Sequence, residues 1–166
     1  MCRQAIRYPG ASDSEYAFVK SLSCGLLAVS GLLFSSAILA AECGARASVT
    51  QRVLCYAERA VAAEEVAPCD AAEDVRVRDQ CYGVFAVQTG RPDACRAIPG
   101  NGQRPASLRQ ICLSDVAIVS GEPSLCGEVT DSNLRDTCYL KLRRDTGDAD
   151  LCERIAEPAL RGLCER

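Results

Sequence analysis

Cysteine spacing constrains this chain more than any other feature. Cys43, Cys55, Cys69, Cys81, Cys95, Cys112, Cys126, Cys138, Cys152 and Cys164 follow one another at separations of 12, 14, 12, 14, 17, 14, 12, 14 and 12 residues. The repeat length is 26, with one five-residue insertion between Cys95 and Cys112. Self-similarity at such a period marks an array of small units that bury their apolar faces only by stacking.

Other columns repeat with the cysteines. An arginine stands three residues before the second cysteine of every unit: Arg52, Arg78, Arg109, Arg135 and Arg161. Tyr56, Tyr82, Leu113 or Tyr139 follows that cysteine, and only the last unit departs, with Glu165. The first cysteine of later units is preceded by "GRPDAC", "GEPSLC" or "GDADLC".

Each unit reads as two helices. Leu134, Cys138, Tyr139 and Leu142 form an i, i+4, i+5, i+8 stripe, as do Leu108, Cys112, Leu113, Val116 and Ala117. That period is helical and excludes strand alternation. Asp74 and Asp131 stand at N-cap positions, and Pro158 suits a first helical turn. Gly90, Gly121 and Gly147 lie nine residues past their cysteines, placed to end the helix in the left-handed conformation. Pro92 and Pro123 open a shorter helix that carries the next unit's first cysteine. Ile98, Val129 or Ile155 lies three residues beyond it. The expected fold is therefore all-α: five short disulfide-stapled αα-hairpins stacked as a small solenoid, preceded by an N-terminal apolar helix. The units are 43–68, 69–94, 95–125, 126–151 and 152–166 of a repeat domain spanning 42–166. The segment "PGNGQRP", residues 99–105, holds the insertion. It is a lengthened surface turn or a loop on a binding face, and the sequence does not choose.

Two regular pairings use the spacing. Pairing within units gives Cys43–Cys55, Cys69–Cys81, Cys95–Cys112, Cys126–Cys138 and Cys152–Cys164. Pairing across the separation of 14 leaves Cys43 and Cys164 alone. The domain edges coincide with unit edges, which favours the first scheme. Helix rise agrees, because Cys152 and Cys164 lie roughly 7 Å and 10 Å from the turn at Glu157. Such staples replace the large aromatic core that a chain with 5% aromatic residues lacks.

The N-terminal 1–41 reads as a leader. Residues 22–41, "LSCGLLAVSGLLFSSAILAA", are uncharged, follow Lys20 and end in small residues suited to cleavage after Ala40 or Ala41. The same run just spans a bilayer, so an uncleaved membrane anchor is the alternative. Export plus an even cysteine count points to structural disulfides in an oxidising compartment, periplasmic or outside the cell. No C-x-x-C occurs, so neither a dithiol redox site nor close-spaced metal ligands are expected.

There is no histidine, which removes Ser-His and Cys-His nucleophile pairs and His-ligated metals. No G-x-S-x-G, S-x-x-K or phosphate loop is present. A net charge of −3 argues against nucleic acid. No catalytic, cofactor or metal residue is expected. The five arginines are the candidate binding residues, as a ladder along one face for an anionic polymer or acidic partner. The alternative is that each arginine binds carbonyls or carboxylates of its own unit, and Asp79 and Asp136 adjoin two of them. Tyr56, Tyr82 and Tyr139 read as packing between units.

Export, two cysteines per hairpin and a repeated helix-turn-helix, from Cys43 to Arg166, resemble the disulfide-bridged αα-hairpin solenoids. Among these the cysteine-rich Sel-like repeat proteins of bacteria are similar. The resemblance implies a stacked helical architecture and a protein-interaction role, and assigns no functional residue. The chain is expected to be an exported, non-enzymatic binding or scaffold protein, with an unidentified protein or envelope component as partner. It meets a membrane only if residues 22–41 stay attached. A cell-envelope enzyme or enzyme inhibitor is the alternative reading.

Overall fold

A computed structural model describes residues 42–100 and 107–166 of the chain. The leader and most of the 99–105 insertion lie outside the described residues, as do the expectations attached to them. Four long helices carry the second cysteine of their units: α1 (Val49–Ala63), α3 (Val75–Thr89), α5 (Leu108–Ser120) and α7 (Ser132–Thr146). Between them run the short helices α2 (Ala67–Asp70), α4 (Pro92–Ala97) and α6 (Pro123–Gly127). A 3-10 helix, Ala149–Arg154, takes the place of a fourth short helix, and α8 (Pro158–Cys164) follows it. A further helical turn at 42–44 carries Cys43.

Local chemistry sets the ends of these elements. Ser48, Asp74, Ser107 and Asp131 cap α1, α3, α5 and α7, each accepting from a backbone N–H of the first turn. These bonds satisfy donors that the helix itself leaves unpaired. Gly90, Gly121 and Gly147 end α3, α5 and α7 with φ of 66°, 69° and 79°. α1 ends the same way at Glu64, φ 57°, the one non-glycine residue with positive φ among the described residues. At the first three ends the next N–H reaches back five residues: Glu65 to Ala60, Arg91 to Ala86 and Glu122 to Ala117. That is a Schellman closure, whereas α7 ends with the simpler bond from Gly147 to Arg143.

Packing follows the repeat. Each long helix lies against the long helix of the next unit, and each short helix against the long helices on either side of it. Like ends meet like. Arg52 near the start of α1 reaches Asp74 at the start of α3, at 3.9 Å. Arg91 just past α3 donates to the Glu64 carbonyl just past α1, at 2.9 Å. The two helices therefore run parallel, as a solenoid of equivalent units requires.

The five disulfides join Cys43–Cys55, Cys69–Cys81, Cys95–Cys112, Cys126–Cys138 and Cys152–Cys164, with Cα–Cα distances of 5.5–5.7 Å. This is the within-unit scheme. The first four bridges staple a short helical segment onto the long helix of its unit, and the fifth joins the 3-10 helix to α8. Nine of the ten cysteines are buried, together with Phe85, Ile98, Leu142, Ile155, Val77, Val116 and Val129. The core is thus a row of cystines with mostly aliphatic side chains between them.

Candidate functional site

The arginine column lies along the fold, half-exposed in four units and exposed at Arg161, and engages the chain's own groups. Arg109 Nε donates to the Ile98 carbonyl at 2.6 Å, and Arg161 donates to the Ile155 carbonyl through Nε at 2.8 Å and a terminal nitrogen at 2.6 Å. Ile98 and Ile155 close their short helices, where carbonyls lack helical partners and a cation is favoured. The other three arginines meet carboxylates: Arg52 with Asp74, Arg78 with Asp79 at 3.6 Å, and Arg135 with Asp136 at 3.8 Å. Their side chains are 28%, 34% and 30% exposed, so they lie along the fold and do not reach out from it.

A second column stands two residues before the second cysteine. Gln110 Oε1 accepts the Asp131 N–H at 2.7 Å. Asp136 Oδ2 accepts the N–H groups of Ala156 and Glu157 at 3.1 and 2.8 Å. Asp131 and Glu157 are both the N-cap of the next unit's helix. One unit therefore caps the helix start of its successor. Asp79 holds the same column and is buried. Its Oδ1 has no hydrogen-bond partner and lies 3.6 Å from Arg78 Nε, so the latch is not seen in this unit among the described residues. In the first unit the column is Val53, also buried. The sequence signal for this latch is polarity in this column of the middle units, which Asp79 shares with the two latching residues Gln110 and Asp136. Reading Asp79 and Asp136 only as neighbours of arginines missed it.

The tyrosine column packs over the residue that follows the first cysteine. The Tyr82 hydroxyl donates to Asp70, and burial with this bond pushes its pKa up to about 12. A Cβ at Gly44 would sit 3.5 Å from the Tyr56 hydroxyl, and one at Gly127 would sit 3.3 Å from the Tyr139 hydroxyl. Where leucine or glutamate replaces the tyrosine, the opposing residue is a long one, Arg96 or Glu153. Arg96 instead donates to Glu128 of the next unit at 2.6 and 3.1 Å, which holds the Glu128 carboxyl below its usual range. Arg154 lies over the Tyr139 ring at 6.0 Å.

With these columns engaged by the chain's own groups, one face of the long helices remains. Positions one before, three after and six after the second cysteine fall within about 60° of one another on a helix. They are Leu54, Glu58 and Val61 on α1, and Gln80, Val84 and Val87 on α3. On α5 they are Ile111, Asp115 and Ile118, and on α7 Thr137, Lys141 and Arg144. None of the twelve is fully buried, although Val61, Val84, Val87 and Ile118 are half-buried against the core. Leu54 and Ile111 are 46% and 40% exposed, and Val119 beside them is 63% exposed. Desolvation lifts the Asp115 carboxyl above its usual range, and Lys141 on the neighbouring helix opposes that shift. The outward columns carry Leu, Gln, Ile and Thr, then Glu, Val, Asp and Lys, then Val, Val, Ile and Arg. Away from this face, cysteine, arginine and tyrosine hardly vary between units. The periodicity that exposed the repeat gave no reason to look at positions that do not repeat, so this face was not foreseen.

Among the described residues no group of three His, Cys, Asp or Glu side chains is placed to hold a metal ion. Also among them, no helix is long and apolar enough to cross a membrane. No protein family, curated protein or solved structure matches the chain. The structure itself supplies the class: an all-helical, cysteine-rich repeat whose five disulfides point to an oxidising, non-cytoplasmic environment.

Proposed function

We propose that this chain is an exported, non-enzymatic binding or scaffold protein of the periplasm or cell exterior, and that the outward face of α1, α3, α5 and α7 is its interaction surface. The contrast between constant columns that engage the chain itself and varied outward columns carries this reading. In a repeat scaffold, positions that define the unit are held alike, and positions free of packing duties differ where they meet a partner. The recurrent polar groups support it, since arginines, latch side chains and tyrosines engage the chain's own backbone and carboxylates. Resemblance to Sel-like repeat proteins points the same way. On this reading residues 22–41 are the export signal, removed in the working protein.

Site-directed photo-crosslinking in the native compartment tests the surface. A photoreactive side chain in place of Ile111 is expected to trap discrete partners. The same probe in place of Glu153, exposed in the short-helix layer, is expected to trap none. Adducts from Glu153 alone, or from neither position, would overturn the proposal.

A further inference from the structure

We infer that the partner seated on this face is a second copy of the chain, related by a two-fold axis that runs parallel to the long helices between α3 and α5. The inference rests on the interaction surface proposed above and names its occupant. Three observations converge. The middle of the face is mostly apolar on two adjacent helices: Ile111 on α5 is 40% exposed, Val84 and Val87 on α3 and Ile118 on α5 are half-buried against the core, and Gln80 and Asp115 are its polar members. The ends of the face are opposite in sign, with Glu58 on α1 and Lys141 and Arg144 on α7. The face also has the size of a real interface. Four helices of about 22 Å at spacings of 8–10 Å cover roughly 22 by 30 Å, close to the ~800 Å² each partner buries in an ordinary complex.

Symmetry decides between arrangements. A two-fold axis along the helices exchanges α1 with α7 and α3 with α5 and keeps every residue at its height. Glu58 and Lys141 both stand three residues past their cysteine, so each Glu58 meets the partner's Lys141, twice per dimer. The valines of α3 meet the isoleucines of α5. A two-fold axis across the helices would instead set Lys141 on Lys141 and Glu58 on Glu58, which like-charge repulsion disfavours. Asp115 faces the partner's Val84 in the favoured arrangement, and Lys141 of its own chain opposes its desolvation without cancelling it.

Analytical ultracentrifugation of the exported, disulfide-bonded chain tests this. A dimer at micromolar concentration is expected. Ile111→Asp should raise its dissociation constant about tenfold or more, because a charge enters the centre of the apolar contact. Glu58→Lys and Lys141→Glu should each weaken association, and the double variant should recover most of the loss, since the pair is restored with its signs exchanged. Thermal unfolding of each variant at monomeric dilution separates folding defects from association defects. A monomeric wild-type chain, or a dimer indifferent to all four variants, would overturn the inference. If Ile111 still traps other proteins in the cell while the purified chain is monomeric, the interaction surface stands and its occupant is foreign.

Discussion

Asp136 shows how one side chain joins two units. Its carboxylate is 1% exposed and accepts two backbone N–H groups from the turn that starts the next helix. Its other oxygen has no hydrogen bond and lies 3.8 Å from Arg135 Nε. Asp136→Ala leaves both amides without their acceptor, and the cost is about 1–3 kcal/mol. Asp136→Asn keeps an acceptor oxygen and should lose less than half as much. Chemical denaturation gives the totals, and hydrogen exchange at Ala156 and Glu157 should accelerate in the alanine variant before the rest of the chain responds. Asp115 behaves oppositely, through its charge. Partial desolvation raises its folded pKa above the ordinary value of 3.8. The folded chain then keeps a proton that the unfolded chain has released, so this group's contribution falls as pH rises from 3.8 through the folded pKa. Asp115→Asn removes that slope and should raise stability at neutral pH, by less than about 1 kcal/mol for a solvent-screened group. Urea midpoints at monomeric dilution across the acid range check the sign: a variant weaker at neutral pH would show that Lys141 outweighs desolvation. Both roles escaped a reading of the sequence alone. Periodicity marks the column that Asp136 occupies, but the acceptor of a long-range bond is known only once the neighbouring turn is placed beside it.

At the scale of elements the chain was largely legible. Asp74, Asp131 and the prolines at 92, 123 and 158 mark helix starts because their effects are local and need no tertiary partner. Gly90, Gly121 and Gly147 mark ends for the same reason. The segment around Cys152 forms a 3-10 helix, where a short α-helix was expected by analogy with Pro92 and Pro123. Asp148 caps it by accepting from Asp150, and no proline stands at its start. The exception that teaches most is Glu64. It occupies the glycine column of the first unit and adopts the same left-handed backbone, φ 57°. For a residue with a Cβ that conformation costs roughly 1–2 kcal/mol, part of which glycine returns through its freer unfolded chain. Glu64→Gly should therefore stabilise by roughly 0.5–1 kcal/mol, and its carbonyl keeps the bond from Arg91. The mirror change, Gly121→Ala, should destabilise by about 1 kcal/mol at a position where an added Cβ meets nothing within 4 Å. Equal melting temperatures for wild type and both variants would mean that the helix ends relax when substituted.

The repeat domain is a line of units, and that geometry separates position from loop length. Four of the bridges close a separation of 12 and one a separation of 17. Chain entropy makes each worth about 3 kcal/mol, with hardly any difference between the two lengths. Loop closure alone thus predicts that removing any bridge has the same effect. Neighbour coupling predicts otherwise. The unit of Cys152–Cys164 is held by α7 on one side only, while Cys95–Cys112 staples α4 and α5, which pack on both α3 and the elements that follow. In a one-dimensional array a weakened end frays locally, whereas a weakened centre uncouples both halves. Replacing Cys152 and Cys164 by serine should open residues 149–164 to hydrogen exchange and leave protection of α3 and α5 near wild type. Replacing Cys95 and Cys112 should lower protection on both sides together and reduce the cooperativity of thermal unfolding. The same global loss from both pairs would show that the five units unfold as one block and that stacking outweighs the staples. A confined loss at the end and a shared loss at the centre would show that each cystine holds its own hairpin, and that the latch residues and helix faces pass stability from one unit to the next.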